Sequence, residues 1–233
     1  MQFVVFDVRA DLAQFKKPFT TMSPQTFGFP TGTALIGLIS AVIGLDKSEY
    51  WKFFPEDSYT LAVGVKKTIK KVVIPINTLK TTSVKHFSRF EAHKRTTMEF
   101  IKDAEFRVWF AWNDNDKFNI LVNNLKNHET YYTVSLGLAW NLANINFIGL
   151  FDAVKESSNG YFDIQSVIRK DLVEEMDFED RRIFVNRIPV RMKPDNSRIV
   201  EQYDEYLFEN DGNTIQAKAK EVLNIGGEYI VPL

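Results

Sequence analysis

From Thr33 to Leu45 the chain reads TALIGLISAVIGL, and after the first threonine Ser40 is its only polar side chain. A helix apolar on every side is a buried one, and this run is too short to cross a bilayer, which takes roughly 20 apolar residues. Ala34, Gly37, Ala41 and Gly44 recur at helical spacing, so small side chains share one face and let a neighbouring element, expected to be a sheet, lie close. Thr31 or Thr33 suits the start, by accepting a backbone N–H bond, and Gly44 suits a left-handed stop. The rest of the chain has to cover this helix. The segment Gln2–Arg9 reads as a central strand, with Val4, Phe6 and Val8 on one face and Phe3, Val5 and Asp7 on the other.

Between that strand and the helix lie about 23 residues rich in Pro, Thr, Ser and aromatics, and connections of this length seldom persist in compact domains unless they carry function. Lys16, Lys17, Thr20, Thr21 and Ser23 supply cations and hydroxyls, while Phe15, Phe19, Phe27 and Phe29 are expected to pin the loop to the core. A basic, hydroxyl-rich loop leading into a helix N-terminus suits phosphate. The alternative is an ordinary loop anchored by its phenylalanines.

The formal net charge is −1, which argues against a generic polybasic binder, but the average hides an asymmetry. Residues 66–107 carry net +7 and residues 108–233 carry net −7. A local field matters more to a polyanion than the total. Within the basic segment, residues 80–100 (KTTSVKHFSRFEAHKRTTMEF) have few aliphatics and no strong period. They hold Lys80, Lys85, His86, Arg89, His93, Lys94 and Arg95, with Phe87 and Phe90 among them. Cations interleaved with rings suit single-stranded nucleic acid; a solvated charged loop is the bland alternative. So little apolar surface predicts a segment that orders poorly without a partner.

Elsewhere Tyr59–Val65 and Lys70–Leu79 read as strands, the second placed at an edge or bulge by Pro75. Asp46–Pro55 reads as a helical tail or turn whose Tyr50, Trp51, Phe53 and Phe54 close the core. Glu105–Trp112 is a strand, Lys117–Asn127 a helix, Tyr131–Leu136 extended, Gly137–Asn144 a short helix or turn, and Asn146–Lys155 a strand. These elements predict an α+β chain with a ferredoxin-like core around one antiparallel sheet. Further on, Arg182–Met192, Arg198–Phe208 and Glu228–Val231 read as strands, with turns at Pro194–Asn196, Asp211–Gly212 and Gly226–Gly227. The acidic run Asp171–Asp180 reads as a solvated helix face, with cation binding as the weaker alternative.

Three stretches resemble a known family. FDVRADLAQFKKPFTTMSPQTFGFPTGTALIGLISAVIGLD (Phe6–Asp46) is similar to the N-terminal signature of the fifth CRISPR-associated (Cas) family, in its strand, its FxxPxT loop and its helix. Those proteins are RAMP-type subunits of Cascade. KRTTMEFIKDAEFRVWF (Lys94–Phe110) and YYTVSLGLAWNLANINFIG (Tyr131–Gly149) resemble two further family segments, the latter in type I-B-like members. The resemblance implies a ferredoxin-like (RRM-like) core at 1–155, a basic thumb hairpin inserted around 80–100, and a smaller β-rich part at 156–233. It implies a non-catalytic subunit that holds the 5′ handle of the guide RNA (crRNA), touches the backbone subunits and the large subunit, and reaches target DNA through the complex. The same cations and hydroxyls would then contact RNA: Lys16, Lys17, Thr20, Thr21, Ser23, Lys80, Lys85, His86, Arg89, His93, Lys94 and Arg95.

The sequence holds no G-x-S-x-G elbow, Walker A loop, H-E-x-x-H helix or G-x-G-x-x-G fingerprint. Zero cysteines exclude a disulfide framework and a thiolate metal site, and no cofactor or metal is expected. The start at Met1 leads straight into a strand and no window suits a membrane span, so a cytoplasmic protein is the expectation. Some relatives process guide-RNA precursors, and His86 or His93 beside lysines could serve as base and acid, so a metal-independent endoribonuclease is the alternative reading. A purely structural adaptor without RNA affinity is the third.

Overall fold

The computed structural model describes residues 1–55, 57–79, 93–156, 160–192 and 200–233. In chain order the elements are β1 (Gln2–Ala13), α1 (Gly32–Ile43), a 3-10 turn at Tyr50–Phe53, β2 (Tyr59–Val65), β3 (Lys70–Leu79), β4 (His93–Trp112), α2 (Asn115–Asn127) and β5 (Asn144–Lys155). Further strands follow: β6 (Phe162–Ile164), β7 (Ile168–Arg169), β8 (Val173–Met176), β9 (Ile183–Met192), β10 (Val200–Glu209), β11 (Ile215–Ala219), β12 (Leu223–Ile225) and β13 (Glu228–Ile230).

Because β1 is apolar on both faces, it takes the interior place, antiparallel to β4 on one side and to β5 on the other. With β2 outside β4, the order β2-β4-β1-β5 and the two crossing helices give the ferredoxin-like arrangement. Val4, Phe6, Val8, Phe106, Val108 and Phe110 meet Leu35, Leu38, Ile39 and Val42 of α1 and Leu121 and Leu125 of α2 in one core. Thr31 is the N-cap of α1, its hydroxyl accepting the Ala34 N–H at 3.3 Å, and Gly44 stops the helix at φ 82°. Asp114 caps α2 by accepting the Lys117 N–H at 3.1 Å. Phe54 stacks on Trp112 at 4.6 Å between centroids and helps close the core, but Trp51, expected there too, remains 38% exposed. Tyr131–Leu136 forms no strand: apart from the bridge Ser135–Leu142 it runs as bends and irregular chain.

The other face of the sheet is covered by the C-terminal strands. Phe3, Val5, Ala62, Trp109 and Ala111 pack on Ile225 and Ile230. The sheet itself continues from β5 through β12, β13, β6 and β11 to β8. Arg107 forms a two-toothed ion pair with Asp7 at 2.7 and 2.9 Å and also bonds Glu228 on β13, which accepts the Trp109 indole N–H at 3.1 Å. Expected strands at Arg182–Met192, Arg198–Phe208 and Glu228–Val231 correspond to β9, β10 and β13, while β6, β7, β8, β11 and β12 were not legible. The acidic run is not a helix. It forms a 3-10 turn at Lys170–Leu172 and then edge strand β8, because Leu172 and Val173 pack inward and Lys218 of neighbouring β11 lies 3.5 Å from Glu174.

The largest departure lies in the basic segment. The strand expected at Glu105 begins at His93, twelve residues earlier, and its first half pairs residue by residue with β3 from Lys70–Lys102 to Leu79–His93. For His93–Phe100 a regular ladder forms against a strand with alternating half-buried Val72, Ile74 and Ile76, a pairing that the segment's own few aliphatics do not predict. As Pro75 predicts, β3 is an edge, paired among the described residues with β4 alone. Lys80, Lys85, His86 and Arg89, the Phe87–Phe90 pair and the Pro194–Asn196 turn lie outside the described residues.

Candidate nucleic-acid interface

The loop after β1 is built by its own hydrogen bonds. Phe27 N–H donates to the Phe15 carbonyl at 2.9 Å, and Lys17 N–H to the Gln25 carbonyl at 2.9 Å, which closes a narrow hairpin-like loop with a bridge at Lys16–Thr26. Its tip is fixed by Thr20: the hydroxyl donates to the Lys17 carbonyl at 2.9 Å and accepts the Gln25 N–H at 3.0 Å. Phe15, Phe27 and Phe29 are buried, as expected, each worth about 2–3 kcal/mol of transfer free energy. Phe29 meets Tyr206 and Phe208 of β10 edge-on, with centroids 6.3 and 5.4 Å away. Phe19 is not an anchor. It is 71% exposed, because the loop's cross-bonds turn residues 18–23 away from the core.

Nor do the cations sit at the start of α1. Phe27, Gly28, Phe29 and Pro30 are buried between them and the helix, and Thr31 is itself 7% exposed. The loop docks instead on the β3–β4 hairpin. Glu99 of β4 is the fastening point: its N–H donates to the Pro24 carbonyl at 2.9 Å, and its Oε1 accepts the Thr26 N–H at 3.0 Å and the Lys71 ammonium at 3.0 Å. Lys71 also donates to the Thr26 carbonyl at 3.1 Å, and the Gln14 amide donates to the Glu99 carbonyl at 3.0 Å. Behind the loop, Gly137 lies over Gln14 at φ 93°, where any Cβ would stand 1.7 Å from the Gln14 carbonyl oxygen. Only glycine fits there.

Side chains alternate along each strand, so the register puts Lys71, Val73, Pro75, Asn77 and Leu79 on one face of the hairpin with Ile101, Glu99, Thr97, Arg95 and His93. That is the face carrying the loop. Lys94 points to the opposite face, which it shares with Lys70 and Lys102. Of the residues expected to bind, the fold therefore gathers Lys16, Lys17, Thr20, Thr21, Ser23, His93 and Arg95 on one side, and sets Lys94 on the other. Lys16, Thr21, Ser23, His93, Lys94 and Arg95 are exposed; Lys17 and Thr20 are half-buried. Among the described residues, no carboxylate pairs with Lys16, Lys94 or Arg95. Partial burial and the neighbouring Lys71 cation push the Lys17 ammonium below the usual lysine range, with Glu99 pulling the other way. An anion placed there would relieve the repulsion between the two lysines.

Sequence reading missed Lys71 and Glu99. Their signal is the strand register, since Val73–Glu99 and Lys71–Ile101 are successive pairs on one face. The third histidine, His128, is the left-handed C-cap residue of α2. The described residues include no helix long and apolar enough to cross a membrane.

Comparison with known proteins agrees with this architecture. No curated protein sequence matches the chain. A crystal structure of a CRISPR protein from Archaeoglobus fulgidus superposes with a TM-score of 0.59 at 13% identity, over 100% of this chain and 99% of that one. A chain of a CRISPR RNA-guided surveillance complex gives 0.55 at 12% identity, over 94% and 92%. A chain of the type III-B Cmr-beta complex bound to cognate target RNA and AMPPnP gives 0.50 at 7% identity, over 94% and 86%. At these identities the likeness is one of fold. The sequence pattern described as CRISPR-associated protein (Cas_Cas5) matches residues 3–137, more than half of the chain and the whole of the loop, helices and β3–β4 hairpin, so this chain belongs to the CRISPR-associated Cas5 family.

Proposed function

We propose that this chain is a non-catalytic RNA-binding subunit of a type I, I-B-like CRISPR Cascade complex in the cytoplasm, holding the crRNA 5′ handle on the face that joins the loop at 15–27 to the β3–β4 hairpin. The observation that carries the reading is the Glu99 clamp, which fastens two separately cationic stretches into one surface. Phosphates would lie against Lys16, Lys17 and Arg95, with hydroxyl contacts from Thr20, Thr21 and Ser23. His93 would extend the contact along the hairpin, and Lys80, Lys85, His86 and Arg89, with Lys94 on the opposite face, are the further RNA contacts of this reading. Residues 1–155 hold the RNA in this reading, and residues 156–233 brace the sheet from behind. Fixing the handle sets where the row of backbone subunits begins and seats the large subunit, through which the complex reaches target DNA. The solved surveillance-complex chain of the same fold supports a place in such an assembly.

A gel-shift and cleavage assay with labelled repeat RNA tests the reading. Binding without cleavage is expected, with loss of binding in Lys16→Ala/Lys17→Ala/Arg95→Ala. Metal-independent cutting abolished by His86→Ala or His93→Ala would instead establish an endoribonuclease. Unchanged RNA affinity in the charge variant would leave only the adaptor reading.

A further inference from the structure

Phe19 and Met22 are 71% and 76% exposed, at the tip of the loop after β1. Large apolar side chains on a loose loop would mean little, since surface loops sample many conformations. This loop is not loose: Thr20, between them, holds the tip through two hydrogen bonds, to the Lys17 carbonyl and from the Gln25 N–H. The base of the loop is fixed to β4 through Glu99 and to the core through Phe15 and Phe27. Phe19 is thus held in water, with Lys16 and Lys17 three and two residues before it and Thr21 and Ser23 just after.

We propose that Phe19 is a base-stacking platform, with Met22 at its side, and that the loop grips one unstacked base while its lysines hold the flanking phosphates. The inference rests on the RNA-binding reading above and adds the residue that takes the base. Charge chooses the occupant. A hydrophobic protein segment would gain the ring and the thioether but leave two neighbouring lysines unanswered, one of them already disfavoured by its partial burial and by its neighbour Lys71. A single-stranded nucleic acid satisfies both at once, since every base has a π-face and every linkage a negative charge. The hydroxyls at positions 21 and 23 suit phosphate or ribose oxygens.

The test uses the full chain and two fluorescent 12-nucleotide probes, one oligouridine and one with an abasic backbone of the same charge. Phe19→Ala is expected to weaken oligouridine binding about tenfold, within the range for loss of one stacked base, and to leave abasic binding unchanged. Phe19→Trp should retain wild-type affinity. Lys16→Ala/Lys17→Ala should weaken both probes alike. Oligouridine binding that is normal in Phe19→Ala overturns this inference while sparing the RNA-binding reading. Failure of the wild-type chain to bind either probe overturns the base platform, and failure to bind labelled repeat RNA as well overturns both. Normal RNA binding combined with loss of a protein partner in Phe19→Ala assigns the tip to a protein contact and overturns the base platform. Because Phe19 touches no core cluster, the variants are expected to fold as wild type does.

Discussion

Glu99 is a carboxylate in the middle of a surface that is proposed to hold a polyanion, and its bonds explain its presence. It accepts from the Thr26 backbone and from Lys71, so it shapes the loop rather than facing the ligand. Removing it would delete a negative charge yet free the loop, and the cost of ordering that loop would fall on RNA binding. Glu99→Ala is therefore expected to weaken RNA affinity, roughly five- to tenfold by loss of two charge-assisted bonds; tighter binding in a fluorescence titration would show that the carboxylate only repels. Lys17 offers a second check. Its pKa is lowered in the free protein, and a bound phosphate would raise it. Binding is then linked to proton retention on Lys17: affinity is full below the free-protein pKa and declines as pH rises through it, at lower pH than for an ordinary lysine. A Lys17→Arg variant, always charged, should flatten that decline. Lys17 was legible as a candidate contact, but the clamp was not: in the sequence Lys71 looks like an ordinary charge on a strand, Glu99 falls in the segment with no strong period, and Phe19 looks like one anchor among four phenylalanines.

Elements were legible where their period was long and their punctuation clear. Gly44 closes α1 as expected, and β2 and β3 fall where their patterns begin and end. The first half of β4 was hidden because a hairpin arm needs few aliphatics when its partner strand supplies the ladder. The short strands β6, β7, β8, β11 and β12 run from two to five residues, too short for alternation to emerge from the sequence. One element carries a simple stability test. Asp114 caps α2 and is held below the usual carboxylate range by hydrogen bonds from the Lys117 side chain and backbone. Asp114→Ala should cost about 1 kcal/mol in urea denaturation at neutral pH. Since the folded-state pKa is depressed, this contribution is present above the unfolded carboxylate pKa and fades as pH falls through the folded value. The difference between variant and wild type should shrink in acid.

Across the whole molecule, the helix-bearing face of the sheet and its opposite face have different partners. Helices cover one, and C-terminal strands cover the other through Trp109, Phe3, Ile225 and Ile230. Arg107, with its guanidinium pKa raised mainly by the Asp7 hydrogen bonds, joins Asp7 on β1 to Glu228 on β13 and so ties the C-terminal strands to the core. Its side chain is 15% exposed. Arg107→Met would leave two carboxylates without their cation, and a loss of about 3 kcal/mol in unfolding free energy is expected, the order found on breaking a buried pair. A loss under ~1 kcal/mol would mean that the packing of Trp109 on Ile225 and Ile230 suffices alone. The proposed RNA-holding surface lies apart from this bracing, on the β3–β4 hairpin and the loop. Photocrosslinking of 4-thiouridine-labelled repeat RNA to the full chain, read by mass spectrometry, tests that placement most directly. Crosslinked peptides from both 15–23 and 93–97 are expected; crosslinks confined to the C-terminal strands, with none on the loop or β4, would contradict it.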